Sequence, residues 1–348
     1  MRSLCFLTLS LLTLAPLSGL AADAKWLHVT SAHFDMYTSE SEADAKAALT
    51  LLEATRAYFL AATRFHDPGG QTVRVVAFHA VSDFEKYRPV DVGSARAYGL
   101  PAGAAPAMIV VQGLKPDMYD QAFREYTQLV LDDAAPTLPY WFRAGLSTVY
   151  STLKPGDNGM NLGSAPRSNF RNGEVGDVNL PLLFGINREA FLASRDKAAT
   201  DFNTTTSQTG TNNGASSSAG SRDPGGSGSK ALNSVQSTLA QSQDFARSAW
   251  MLVHMLMFQQ EYRPKFGEFM RTLAAGGETG AVFEKVYGAP ISKVKADLIL
   301  YSKQTGIMVV TAPFKFEKPP APEIRPAAKE EQDRVFADLS KRPRTATQ

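Results

Sequence analysis

Residues 123–131 have the sequence FREYTQLVL. Apolar side chains recur at spacings of three and four in this stretch, and this periodicity predicts an amphipathic helix. Arg124, Glu125 and Gln128 share one face of that helix in the prediction, because residues three or four positions apart lie one above the other. The chemistry of this polar face therefore depends on what these three side chains can bind.

The stretch belongs to the first of two closely spaced helices. The pattern predicts one helix from about residue 117 to 132 and a second from about residue 140 to 152. Pro136 and Pro139 separate them, and Pro155 closes the second helix. The large apolar residues of both helices have the spacing of core positions. These are Phe123, Tyr126, Leu129, Val130, Trp141, Phe142 and Leu146.

The residues before these helices predict a sheet with a long helix packed on it. The predicted elements are a strand or tight pair of strands at 26–37, a helix from about 42 to 65, a strand at 73–78, a short capped helix at 82–87, a loop at 99–106 and a strand at 108–111. Together with the helix pair they predict an α+β fold with an N-terminal mixed sheet and a C-terminal helical part.

The rest of the chain divides by composition. Residues 200–231 are rich in Gly, Ser, Thr and Asn and are predicted to be a disordered insertion. The insertion separates residues 22–199 from the C-terminal helical part of the same domain, residues 232–302. Residues 313–348 are predicted to be a proline-rich linker and tail, whose last part has the pattern of an amphipathic helix.

The N-terminal residues indicate export. One arginine, an apolar run of about a dozen residues and then small residues are the layout of a secretory signal covering residues 1–21. A retained membrane anchor is the alternative, but the run is shorter than the roughly 20 residues that span a bilayer. The only cysteine, Cys5, lies inside this segment, so the mature chain is expected to lack thiol chemistry and thiolate metal sites. Export without disulfides is consistent with a periplasmic or other extracellular location.

The net charge of the chain limits the classes of partner that are expected. The formal net charge is +2, which predicts no nucleic-acid partner. With the signal removed, no membrane span is expected. The predicted partner is an unidentified protein or peptide.

The helix pair resembles a known family. The run EYTQLVLDDAAPTLPYWFRAGLSTVYSTL at residues 125–153 is similar to the peptidase-MA-like domains of unknown function, which are bacterial gluzincins with the approximate pattern HEYTH followed by PxWLxEGLAEFYST. Residues 26–37, 245–254 and 281–288 also resemble parts of that family, so the resemblance covers most of residues 26–302. It implies a zincin-like fold with two active-site helices.

The resemblance also implies a lost zinc site. The two family histidines fall on Arg124 and Gln128, the general-base glutamate falls on Glu125, and the third-ligand glutamate falls on Ala144. Arginine has no lone pair for a cation, glutamine offers only a weak carbonyl oxygen, and alanine offers nothing. Zinc is therefore expected to be absent, and the chain is expected to be a degenerate metallopeptidase without a confident catalytic residue.

Other residues do not replace these ligands. The five histidines are His28, His33, His66, His79 and His254, and no two have helical i, i+3 or i+4 spacing. His254 is surrounded by Met and Leu and is predicted to be a core residue. Asp132 and Asp133 close the first helix and are predicted to be solvated or turn-forming.

Two roles remain open for the polar face. Glu125 is predicted to be a structural carboxylate that pairs with Arg143 or another base across the helices, rather than a weak remnant base. Arg124 is a candidate receptor for a carboxylate or phosphate in the inherited cleft.

Three functions are therefore possible for the chain. The first is a non-catalytic binding protein that uses Arg124, Glu125 and Arg143. The second is a working hydrolase with rearranged ligands or none, and the third is an interaction module that acts through the insertion and tail.

Overall fold

The computed structural model describes residues 26–89, 95–166, 178–187, 191, 245–304, 307–315 and 320–341. The predicted signal at residues 1–21 and the predicted insertion at residues 200–231 lie outside these ranges. Within them the protein combines helices with a six-stranded mixed sheet. The predicted α+β class is confirmed.

The sheet is built from strands at both ends of the chain. Its strands are β1 (Leu27–Thr30), β2 (Phe34–Thr38), β3 (Val73–Ala77), β4 (Ala97–Leu100), β5 (Met108–Val111) and β9 (Glu323–Pro326), in the spatial order β4-β5-β3-β2-β1-β9. The centre is parallel, with β3 between β2 and β5. The two outer pairs, β4 with β5 and β1 with β9, are antiparallel. The sheet therefore ends in two antiparallel edge strands.

The central strands are apolar on both faces because helices cover both faces. Strand β5 has the sequence MIVV with every residue buried, and β3 has VRVVA with only Arg74 partly exposed. Such continuous β-branched runs are typical of strands buried on two sides.

Helix α1 (Glu42–Thr63) packs on one face of the sheet. Ser41 caps it by accepting a hydrogen bond from the Asp44 N–H, as expected for a serine at the N-cap. Its buried side includes Leu49, Leu52 and Phe59. The helix ends two residues before the predicted limit, where Arg64 adopts a left-handed conformation.

Helix α3 (Pro116–Ala134) packs against β4 and β5, and helix α4 (Tyr140–Ser151) packs against α3. All seven predicted core residues of this pair are buried. Helix α5 (Leu180–Gly185) follows, and a helix α6 covers residues 245–258. Next come helices α7 (Phe266–Ala274), α8 (Thr279–Tyr287) and α9 (Ile291–Ser302), with a 3-10 turn at Arg263–Lys265 before α7.

The opposite face of the sheet is covered by α2 (Val81–Tyr87) and α10 (Lys329–Lys341). No side chain caps α2, so the predicted cap is wrong; Ala80 occupies the N-cap position. The end of the chain is not a free tail where the structure describes it. Strand β9 pairs with β1, and Val335 and Leu339 of α10 are buried against the sheet.

Two further features differ from the predictions. The predicted loop at 99–106 begins inside β4, because Gly99 and Leu100 pair with β5. After α4 the chain forms a small second sheet of β6 (Lys154–Gly156), β7 (Gly159–Leu162) and β8 (Val310–Ala312). Across the ranges described, none of the helices has both the length and the apolar character that a bilayer crossing requires.

Candidate functional site

The candidate site lies where α3 passes beneath edge strand β4. The two elements approach closely at Gly99: a Cβ atom there would lie 3.2 Å from Leu129 Cγ and 3.5 Å from Glu125 Oε2. A larger residue at this position would require Leu129 to shift. The strand therefore lies directly above the part of α3 that carries the polar face.

Both carboxylate oxygens of Glu125 are engaged. Oε2 accepts a hydrogen bond from the Gly99 backbone N–H at 3.0 Å. Oε1 accepts from Arg124, at 2.7 Å from Nη2 and 3.2 Å from Nε. The Glu125 side chain is 14% exposed, so these contacts replace most of its hydration.

The predicted pairing of Glu125 with Arg143 is wrong. Arg143 lies on α4 and donates instead to Asp132 near the end of α3. Gln128 Nε2 donates to the same Asp132 oxygen at 2.8 Å. The Ser147 hydroxyl on α4 lies 3.4 Å from Gln128 Oε1. These four side chains form an interhelical network next to the Glu125 pair.

The role predicted for Asp132 is therefore wrong as well. Its side chain is 18% exposed and that of Arg143 is 14% exposed, so this ion pair is mostly buried between the helices. Asp132 is four residues after Gln128 and lies on the same side of α3, which brings it against α4. Asp133 is exposed, as predicted.

Arg124 remains partly open to solvent. Its side chain is 41% exposed although its guanidinium contacts Glu125. The neighbouring carboxylate raises the pKa of Arg124. The group is thus a permanent, partly exposed cation beside the contact between α3 and β4.

The residues at the implied ligand positions do not fit a zinc ion. Arg124 offers only donors, and Gln128 uses its amide N–H on Asp132. Ala144 contributes a methyl group, and its backbone carbonyl accepts from Ser147 and Thr148 within α4. In the described ranges, no three His, Cys, Asp or Glu side chains form a group suited to a metal ion.

The histidines are held in separate places. His28 contacts Asp35, His33 contacts Glu53, and His79 contacts Glu40. Each of these three is paired with a carboxylate, and the exposed His66 lies on the loop after α1.

The predicted core position of His254 is confirmed. Its side chain is buried on α6, with Nε2 2.8 Å from the Gly163 carbonyl oxygen and Nδ1 2.7 Å from the Tyr301 hydroxyl. Because Gly163 offers an acceptor, the proton of the neutral ring belongs on Nε2, and Nδ1 then accepts from Tyr301. Burial lowers the pKa of His254 to about 4.

The outer edge of β4, the last strand of the sheet among the described residues, directs backbone groups toward the site. The Gln112 N–H donates to the Arg96 carbonyl, and Gly99 is opposite Ile109 in the register. Because inward and outward groups alternate along an antiparallel strand, Ala97 and Gly99 direct their N–H and C=O groups away from β5. The Gly99 N–H that Glu125 accepts is therefore an outward-facing donor of the sheet edge.

Sequence reasoning missed two members of the site. Asp132 carried a signal, because its spacing from Gln128 places both on one helix face. Gly99 carried none, since its role comes from the backbone of a strand 26 residues away from Glu125 along the chain. Comparison of the chain with protein-family models found no match, and comparison with curated proteins found none either.

Proposed function

We propose that the chain is an exported, non-catalytic peptidase-like protein with a zincin-like fold, which binds a protein or peptide in the cleft between α3 and β4. Its location would be the periplasm or the extracellular space. The order of elements supports the proposal: a mixed sheet with an antiparallel edge strand, a helix carrying Glu125 beneath that strand, and a second helix packed on the first. The resemblance of residues 125–153 to the gluzincin pattern supports it as well.

The engagement of both Glu125 oxygens is the observation that carries the non-catalytic assignment. A general base needs an oxygen that can accept a proton from water. Here Oε1 lies against the Arg124 guanidinium and Oε2 accepts from Gly99. With no ligand set for a Lewis acid among the residues that the structure describes, a water near Glu125 keeps a pKa close to that of bulk water. Glu125 in this arrangement holds the strand and the arginine in place.

The same contacts suggest how a peptide binds. An extended chain adds to an exposed sheet edge by pairing with its outward N–H and C=O groups. On β4 those groups belong to Ala97, which is buried, and to Gly99, which is partly exposed, so the proposed pairing begins at Gly99. A backbone N–H of the bound peptide would donate to the outward Gly99 carbonyl while Glu125 keeps the Gly99 N–H, and the partly exposed Arg124 would supply a charge-assisted donor to an acidic side chain or terminal carboxylate.

The binding test uses an array of extended peptides with acidic and neutral C-termini. The chain starting at residue 22 is expected to retain a subset rich in carboxylates. Arg124→Ala should weaken this binding at least tenfold, and Ala144→Trp, on the helix packed against α3, should weaken it too; thermal melting checks that both variants are folded. Arg271→Ala, which removes an exposed arginine from α7, is the matched control and should have no effect. Equal retention by all four proteins would overturn the proposal.

The competing hydrolase hypothesis has its own test. The unmodified chain, purified without chelator, is expected to contain no stoichiometric zinc by plasma mass spectrometry and to show no heat on zinc titration. It is also expected to leave the retained peptides intact. Peptide cleavage that Glu125→Gln abolishes would establish a hydrolase and refute the non-catalytic assignment.

A further inference from the structure

A second site lies on the other side of α3. A partly open cavity of about 240 Å³ is lined by α1, α3, the end of α4 and the start of β6. Its apolar wall includes Leu51 and Leu52 of α1 and Tyr119 and Phe123 of α3, and its polar wall includes Asp120 and Lys154. A mainly apolar cavity with a few convergent polar groups is the usual form of a small-molecule site.

The cavity is separate from the Glu125 site. Each residue advances an α-helix by about 100°, so Phe123 and Glu125 are about 200° apart around the axis of α3. Tyr119 and Phe123 line the cavity, whereas Glu125 and Gln128 face β4 and α4. A ligand in the cavity thus makes no use of the cleft proposed for peptides.

The two charges of the cavity are close but not hydrogen-bonded to each other. Lys154 Nζ lies 3.7 Å from Asp120 Oδ1, which exceeds the usual distance of a charge-assisted hydrogen bond. The Asp120 side chain is only 11% exposed, and that of Lys154 is 40% exposed. A positive and a negative group therefore stand side by side, with the carboxylate deeper and the ammonium nearer to solvent.

We propose that this cavity binds a free α-amino acid with an apolar side chain. The ligand ammonium group would contact Asp120, its carboxylate would contact Lys154, and its side chain would pack against Leu52 and Phe123. An amino acid is a zwitterion with its two charges adjacent, so it complements the pair without adding net charge to a poorly hydrated site. A ligand with a single charge would contact only one member of the pair.

The volume agrees with a ligand of this size. An engineered apolar cavity of about 150 Å³ binds benzene, which has six non-hydrogen atoms. By the same ratio a cavity of about 240 Å³ takes about ten such atoms, close to the nine of leucine. Leucine is therefore the first probe, and phenylalanine, with twelve, is the larger one.

Isothermal titration of the chain starting at residue 22 tests the proposal. L-Leucine or L-phenylalanine is expected to bind with one-to-one stoichiometry. Isopentylamine lacks the carboxylate of leucine and 4-methylpentanoate lacks its amine, so each should bind at least tenfold more weakly. Absence of binding by both amino acids up to about 10 mM, a weak limit on the affinity scale, would overturn the proposal. Equal affinity for leucine and its two analogues would overturn it as well.

Substitutions of residues that line the cavity test whether the amino acid binds there. Lys154→Met and Asp120→Asn should each weaken the binding of the amino acid at least tenfold, whereas Lys86→Met, on the far face of the sheet, should not. Leu51→Phe enlarges a half-buried wall residue and should fill the cavity and abolish binding. Thermal melting checks that each variant is folded. Unchanged affinity in folded Lys154→Met and Leu51→Phe would place the ligand elsewhere and refute the assignment.

Discussion

A Cβ atom on Gly145 would lie 2.4 Å from the carbonyl oxygen of Ala249, because α4 and α6 cross with their backbones in contact at this point. The second nearest obstacle is Val253 Cγ2 at 2.7 Å. Neither helix can move without disturbing the buried residues on both sides of the crossing. Gly145 therefore sets the distance between the site helices and the C-terminal helical part.

Gly145→Ala should destabilise the protein by about 2–3 kcal/mol, the cost of forcing an extra carbon into a packed interior. The measurement is urea unfolding followed by circular dichroism. Gly267→Ala is the matched control, since the nearest atom to a Cβ there is Arg271 Nη1 at 3.5 Å. That change should be neutral or stabilise the protein by about 0.5–1 kcal/mol through helix propensity. Equal effects of the two substitutions would contradict the close crossing.

Asp132→Ala should cost about 3 kcal/mol of unfolding free energy. It leaves the mostly buried guanidinium of Arg143 without its carboxylate partner, and removal of one member of a buried pair is strongly destabilising. Asp133→Ala changes the exposed neighbour and should cost no more than about 0.5 kcal/mol. If Asp132→Ala proves as mild as Asp133→Ala, the pair does not hold α3 to α4.

His254 should make stability depend on pH between about 6.5 and about 4. The pKa in the folded protein is lowered to about 4, below the unfolded value, so the unfolded chain binds the proton more tightly. The contribution of the neutral ring is complete above about pH 6.5 and is lost as the pH falls toward 4. At 1.36 kcal/mol per pKa unit, the loss is about 3 kcal/mol.

The control for this pH effect is His254→Gln, whose amide still offers a donor to the Gly163 carbonyl. It should be less stable than the unmodified chain at pH 7 but should lose less stability between pH 7 and 4. Urea unfolding of both proteins at a series of pH values gives the comparison. Parallel pH curves would show that His254 does not titrate in this range.

Restoring the implied ligands tests the zincin-like geometry. The triple change Arg124→His, Gln128→His and Ala144→Glu supplies two imidazoles at i and i+4 and a carboxylate from α4, which is the ligand set of a zinc peptidase. We expect stoichiometric zinc in the triple variant, measured by competition with a chromophoric chelator. The double change without Ala144→Glu is the control and should bind zinc at least tenfold more weakly. A folded triple variant that does not bind zinc would contradict the zincin-like arrangement.

Much of the helical framework could be predicted from the sequence, because apolar residues at spacings of three and four directly indicate a helix. Helix α3 was predicted from about residue 117 to 132 and runs from Pro116 to Ala134. Strand β4 was missed because its sequence, AYGL, has little strand character and forms by pairing with β5. Strand β7 was missed as well: its adjacent partner β6 is only three residues long, and its other partner β8 is about 150 residues away in the sequence.

The candidate site could be predicted only in part. The positions of Arg124, Glu125 and Gln128 on one helix follow from their spacing. The partners of Glu125 do not, because the Arg124 side chain folds back on its neighbour and the Gly99 donor belongs to the backbone of a distant strand. Side-chain type identifies which groups can pair, whereas tertiary structure decides which of them meet.

Leu339→Ala should destabilise the whole domain by about 2–4 kcal/mol, the usual cost of truncating a buried leucine. Leu339 is 6% exposed and packs with Val335 in a cluster on the sheet that includes Phe78. Phe336 of the same helix stacks on Tyr87 with ring centroids 5.4 Å apart. Ser340→Ala, at an exposed position beside it, is the control and should change stability by no more than about 0.5 kcal/mol.

This prediction separates a structural end of the chain from a partner-binding tail. If α10 and β9 belong to the folded domain, Leu339→Ala lowers the urea midpoint measured at β1 and at α4 together, because the domain unfolds as one unit. A fluorescence probe in the sheet and circular dichroism of the helices report the two regions. A midpoint that stays unchanged in Leu339→Ala would mean that α10 contributes little to the domain, and the interaction-module hypothesis would regain support.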